Sequence, residues 1–339
     1  MKNLFLLALA TVFLSCSKDR PTVKIIPLDI QKPNLMRGLF MVDEDIAWAS
    51  GTEGIIRYTG NGKDWVIYQD TSWSNLDFRD IHAFSELEAI IMSSGDGCKI
   101  FKTKDQCKSW ELVYENSAEG IFFDGMDFWD DKNGIAFSDP IDNQLYIIST
   151  NDGGSTWREI NNISIPSTLK GEAGFAASGT GITCVGDSTV FIGTGGGAIS
   201  RIFKSKDRGK TWTTTNTNMR AGEASGIYSM VFVNSTRGVA IGGNYKDSTS
   251  TKGNCVITIN GGQTWINPET LPSGYKSCVA DNGNGVLIAT GRTGVDVSFD
   301  NGYNWKHISD EAYYSCAIKG NNGWLTGKNK LAQIIITNK

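Results

Sequence analysis

Three arginines, Arg37, Arg79 and Arg292, and three tyrosines, Tyr228, Tyr245 and Tyr314, carry the side chains of this sequence best suited to recognition. A guanidinium grips a carboxylate through paired hydrogen bonds, and an aromatic ring stacks on a sugar face or a peptide side chain. Asp124, Asp139 and Glu172 add carboxylates to the set, and Lys276 adds a further cation. With two carboxyl groups on either side of a glycosidic bond, such a set could support hydrolysis instead. The bland alternative is that charges gathered at a channel mouth pair with one another and stay solvated. All ten residues come together only if the elements that carry them are arranged in a ring.

Other chemistries find little footing. The two histidines are His82 and His307, and no HExxH or clustered Cys/His spacing accompanies them, so no metal site is expected. His82 falls mid-strand beside the expected channel, where a structural imidazole and a catalytic base are the competing readings. The stretch Gly193 to Gly197 lacks the Lys-Ser/Thr and helix of a phosphate loop and suits a hairpin. No dinucleotide fingerprint supports a redox role, and no cofactor is expected. A formal charge of −4 and a pI near 5.4 give no basic footprint for nucleic acid.

The elements that would position the set are announced by a repeat. An eight-residue pattern, S/T-x-D-x-G-x-T-W, recurs at Thr150 to Trp157 and Ser205 to Trp212, with variants at Ser298 to Trp305, Thr258 to Trp265 and Thr103 to Trp110. Tyr58 to Trp65 reads as a decayed copy. The six tryptophans are 40 to 55 residues apart, the period of a four-stranded propeller blade. Within the pattern, Gly supplies positive φ, while the hydroxyl and the carboxylate take up turn N–H groups. Trp then packs on a neighbouring sheet. These aspartates are therefore scaffold, not acids for catalysis.

The turns resemble the Asp boxes (BNR repeats) of the sialidase superfamily and of sortilin-type receptors. The fuller phrasing, in Phe78 to Phe84 (FRDIHAF), Ser149 to Trp157 (STNDGGSTW) and Gly323 to Gly327 (GWLTG), resembles the photosystem II stability/assembly factor family over nearly the whole mature chain. The resemblance implies an all-β propeller. It implies for function either a non-enzymatic assembly or scaffolding factor, or a sialidase-like glycoside hydrolase acting on acidic glycans, with a Tyr nucleophile and an arginine cluster. The Arg-Ile-Pro motif of sialidases is absent, since Arg201-Ile202-Phe203 only partly mimics it and precedes a box on the wrong strand.

Six boxes give six blades. Three more strands follow Trp305, at Tyr314 to Lys319, Gly323 to Gly327 and Leu331 to Thr337, while Val23 to Asp29 precedes the first blade and otherwise belongs nowhere. Pairing that strand with the last three yields a seven-bladed β-propeller of four-stranded antiparallel blades, closed by its N-terminal strand. Aligned innermost strands then place Arg37, Arg79, Asp124, Tyr228, Lys276 and Tyr314 at one face of the channel. The loops between second and third strands bring Asp139, Tyr245 and Arg292 to that face, and the segment 170–180 brings Glu172.

The chain opens with Lys2 and an apolar run from Leu4 to Leu14, a secretory signal followed by Phe13-Leu14-Ser15-Cys16. This resembles a bacterial lipobox, although Phe13 replaces the usual Leu. The expectation is a signal peptide over 1–15, a lipidated Cys16 and tether over 16–22, and a propeller over 23–339. Ser17 is not the Asp of an inner-membrane retention mark, which favours the outer membrane. A monomer tied to the membrane by its lipid, with an envelope protein or a glycan as ligand, follows. Six cysteines remain in an oxidising compartment, and Cys98 and Cys107 share one hairpin in which they could meet.

Overall fold

The alternation of apolar residues along short runs, broken every few residues by Gly, Asn or Asp, produces strands almost exclusively. A computed structural model describes residues 21–95, 97–160 and 164–337, so the expected signal peptide and Cys16 lie outside the described residues. Among the described residues one short 3-10 turn, Thr71–Trp73, interrupts 27 strands. They form seven antiparallel sheets, six of four strands and one of three.

Each blade runs outward from the channel in sequence order. The first comprises Met36–Met41, Ala47–Gly51, Ile55–Thr59 and Val66–Gln69. The innermost strands of the next five begin at Asp77, Phe123, Ile182, Ser225 and Cys278. The seventh blade contains Ser315–Lys319, Asn322–Gly327 and Lys330–Thr337, and its outer strand is Thr22–Leu28 from the other end of the chain. Seven consecutive residue pairs, from Thr22 opposite Thr337 to Leu28 opposite Leu331, close the ring.

The fifth blade departs from the four-strand expectation. After Cys255–Thr258 the chain returns only as far as Ile266, whose amide and carbonyl both pair with Ile257. Continuing that register would set Pro268 opposite Cys255, and proline has no N–H to offer the ladder. The strand stops there.

Apolar residues of adjacent blades interlock around the ring, and the repeated tryptophans join them. Trp157 packs against Ile90 and Met92 of the preceding blade, Trp212 against Ile135 and Phe137, and Trp305 against Val239 and Ile257. At the closure, Trp65 meets Trp324 edge-on with centroids 4.9 Å apart, so the seam is packed as the other junctions are. In the repeated turn, Thr150 Oγ1 accepts from Gly154 N at 2.9 Å, and Asp152 accepts from the amide and hydroxyl of Thr156 at 2.9 and 2.7 Å. The turns at Ser205 and Ser298 repeat this arrangement. In the first blade the register differs by one from the expected copy: Thr59 supplies the hydroxyl and Asn61 accepts the turn amides of Lys63 and Asp64.

The six described cysteines are free thiols. Cys98 begins the strand that ends at Thr103, and Cys107 lies beyond its far end. At about 3.3 Å per residue that strand holds the two well beyond disulfide reach.

Candidate functional site

The innermost strands start at one face of the ring, and the loops between second and third strands rise beside them. There a cavity of about 320 Å³ is lined by Arg37, Arg79 and Arg292, by Tyr228, Tyr245, Tyr275 and Tyr314, and by Phe175, Ala176 and Ala177. Six of the ten residues singled out from sequence thus face one cup. Phe175 and Tyr228 stack at 4.0 Å, and Tyr275 meets Tyr228 edge-on at 4.8 Å. The Arg37 guanidinium lies 4.5 Å from the Tyr314 ring centroid, and that of Arg292 lies 5.4 Å from Tyr245.

The floor of the cup is the connection between the third and fourth blades, which runs across the channel instead of around it. Arg79 Nη1 donates to Ala176 O at 3.4 Å and Arg37 Nη1 to Ala177 O at 3.3 Å, tying this segment to the second and first blades. Ser178 Oγ donates to Ser277 O of the sixth-blade region at 2.8 Å, and Thr180 Oγ1 lies 2.6 Å from Ser229 Oγ of the fifth blade. Gly179 has φ near +76° and sits against Asp80, where a Cβ has no room. Asp80 itself accepts the amides of Ile81 and Met126 at 2.8 and 2.7 Å.

The arginines are unequally engaged. Arg79 Nε donates to Asp77 at 2.7 Å, and Arg292 Nη1 donates to Tyr245 O at 3.1 Å from an exposed position. Arg37 Nε is buried and has no hydrogen-bond partner among the described residues. Burial and the nearby Arg79 charge push the Arg37 pKa down, and Asp77 acts against them without cancelling them. Burial raises Tyr228 and Tyr275 above the ordinary phenol range, so both rings stay neutral.

The other four expected residues stand in the wall, not at the mouth. Glu172 is buried against Arg201, which reaches it through Nε at 3.0 Å and through Nη2, and it also accepts from Thr194 Oγ1 at 2.6 Å. Lys276 is fully buried, paired with Asp296 and donating to Gly294 O at 2.9 Å. A slip of one residue along an extended segment exchanges its two faces. Tyr275 therefore takes the place in the cup that strand alignment gave to Lys276. Asp124 and Asp139 lie together beneath the crossing segment: Asp139 Oδ1 accepts from Gly174 N at 2.9 Å, and Asp124 fills the space a Cβ on Gly174 would need. Burial, then the neighbouring Asp139, raises Asp124 well above the carboxylate range, and burial raises Asp139.

Sequence reading overlooked Tyr275, Phe175 and the alanine carbonyls. The segment 170–180 was visible as unusually long, and its Phe175 was the legible signal for a ring in the site. On the far side of that segment a smaller cavity of about 190 Å³ contains His82, Asp80, Asp127 and Lys319 in its lining. His82 is packed among Phe40, Phe84 and Phe128, and burial holds it down to about 3 while raising Asp127 to about 6. The imidazole is neutral and structural there. Among the described residues no group of three or more His, Cys, Asp or Glu is arranged to hold a metal.

No protein-family model and no curated protein sequence matches the chain. Solved structures do. The chain is similar to YCF48 bound to D1 peptide, at 14% identity with a TM-score of 0.62, over 93% of this chain and 97% of the other. YCF48 from Cyanidioschyzon merolae gives 16% identity and 0.62, over 92% and 98%. The GH74 xyloglucanase from Xanthomonas campestris gives 15% and 0.60, covering 92% of this chain and 53% of the enzyme. At such identities the likeness is one of fold.

Proposed function

We propose that this protein is a ligand-binding propeller of the bacterial cell envelope, tethered to the outer membrane through a lipid on Cys16 and acting as a monomer without catalysis. Its ligand is a protein segment bearing a carboxylate, which enters the cup and is held by Arg37, Arg79 and Arg292 while its apolar part lies on the tyrosines. One observation carries the reading: three guanidinium groups converge on a single aromatic cup, and the buried Arg37 Nε lacks a partner. A buried donor without an acceptor costs about 1–3 kcal/mol, which an incoming carboxylate recovers. That a similar propeller is seen bound to a peptide supports a peptide in preference to a glycan.

The alternative of glycoside hydrolysis draws on the likeness to a xyloglucanase and on carboxyl groups near Arg79. Catalytic carboxyls stand at least about 5 Å apart, with the sugar between them. Asp124 and Asp139 both press against Gly174, which leaves no space for a bond to be cleaved.

Calorimetric titration of the purified protein with short peptides tests the proposal. Peptides ending in a free carboxylate bind, and their amidated counterparts lose about 2 kcal/mol, as does Arg37→Ala with the free acid. Equal binding of acid and amide would remove the basis for an anion cup. Pull-down from solubilised envelopes with wild-type and Arg79→Ala protein then asks for a partner whose recovery depends on that residue.

A further inference from the structure

The segment over the channel is fastened from below by a carboxyl pair rather than by an ion pair. Asp124 sits near the start of the third blade's innermost strand and Asp139 near the end of the strand beside it. Gly174 donates its amide to Asp139 Oδ1 at 2.9 Å, and its α-carbon lies so close to Asp124 that a Cβ has no room. Asp124 is 1% exposed, and its Oδ2 is buried with no hydrogen-bond partner among the described residues. Two and three residues further on, Ala176 and Ala177 supply the carbonyls that hold Arg79 and Arg37. The same backbone thus touches the pair below and the arginines above.

We propose that the Asp124–Asp139 pair is a proton-controlled latch: with one proton between its carboxyls it holds the crossing segment and the anion cup together, and loss of that proton loosens both. Two effects act in the same direction. Deprotonation places a second negative charge in a buried site, and the carboxylates repel each other beneath Gly174. The added charge also lies close to Arg79 and lowers the pull of the cup on an anion. The other ionisable groups that face the pair are Arg79 with its partner Asp77, and the Cys98 thiol; Glu172 on the same segment is neutralised by Arg201.

The sign follows from the raised carboxyls. A carboxyl whose pKa is higher in the folded protein stabilises the docked segment fully on the acid side, and that contribution disappears as pH rises through the raised value. Ligand affinity therefore falls as pH rises through that value.

The inference about affinity rests on the cup being an anion site, whereas the latch itself does not, so two readouts are needed. Hydrogen exchange of residues 170–181, corrected for its intrinsic pH dependence, follows the segment without ligand. Titration calorimetry with acetyl-tetra-alanine bearing a free carboxylate follows the cup. Between about pH 5 and about pH 9, wild-type protein loses protection in this segment and about tenfold in affinity. Asp124→Asn, which keeps a hydrogen-bond donor to Asp139 but cannot lose it, holds both readouts flat. Should that variant fail to fold, Asp139→Asn makes the reciprocal replacement. Protection that is independent of pH in the wild type, or that titrates alike in wild type and variant, overturns the latch. Pair-dependent protection with no peptide binding at any pH leaves the latch standing and removes the anion cup instead.

Discussion

Glu172 and Lys276 each form an ion pair with no exposed side-chain surface of their own. An unpaired charge in that position is far costlier than the pair is beneficial. Glu172→Ala leaves Arg201 without its carboxylate, and Lys276→Met leaves buried Asp296 only Ser273 and the half-exposed His307; each is expected to lower unfolding free energy by about 3–5 kcal/mol in a denaturant titration. A loss below about 1 kcal/mol would mean that the charges are solvated after all. Strand alignment could find the row in which these residues stand, because the boxes repeat. It could not find the side, because the residues just ahead of the inner strands follow no repeated spacing. His82 offers a second test at this scale. Burial among phenylalanines holds it down to about 3, below the 6.5 of an unfolded chain. Its contribution is complete above about pH 6.5 and fades as pH falls towards 3. In His82→Phe this part of the acid destabilisation disappears from the pH dependence of the denaturation midpoint.

The repeated turn is the element most legible in the sequence, since each of its residues has a local task. A hydroxyl and a carboxylate answer amides within four positions, and the tryptophan needs only an apolar neighbour in the preceding blade. Asp152 illustrates the electrostatics: partial burial acts against it, but the Thr156 hydroxyl and amide hold its carboxyl down to about 2. Asp152→Ala should cost about 1 kcal/mol, as loss of a helix cap does. Because the depressed carboxyl stabilises above about pH 3.8 and loses that effect as pH falls towards 2, the variant and the wild type converge in acid. The fifth blade shows where this legibility ends. Its box is intact, yet Pro268 stops the strand that should follow. The crossing segment was harder still to read, for its partners lie on five other blades and no local pattern records them.

At the scale of the whole molecule, ring closure could be inferred by elimination. An apolar strand without a partner at one end of the chain matched a three-stranded blade at the other, and Thr22–Leu28 does complete that sheet. Removing residues 21–28 leaves an open edge on the seventh blade, and the shortened protein is expected to unfold less cooperatively and to self-associate through that edge. Light scattering and denaturant titration report the two effects, and an unchanged monomer with an unchanged transition would show that the strand is dispensable. What closure could not convey is the occupancy of the channel, because a blade-by-blade reading treats the axis as empty.

The pairing of Thr22 with Thr337 also sets an order of events. During synthesis the first strand to appear is obliged to wait, unmatched, until some three hundred residues have followed it. A barrel stave that cannot be hooped until the last one arrives leaves the vessel open until synthesis ends.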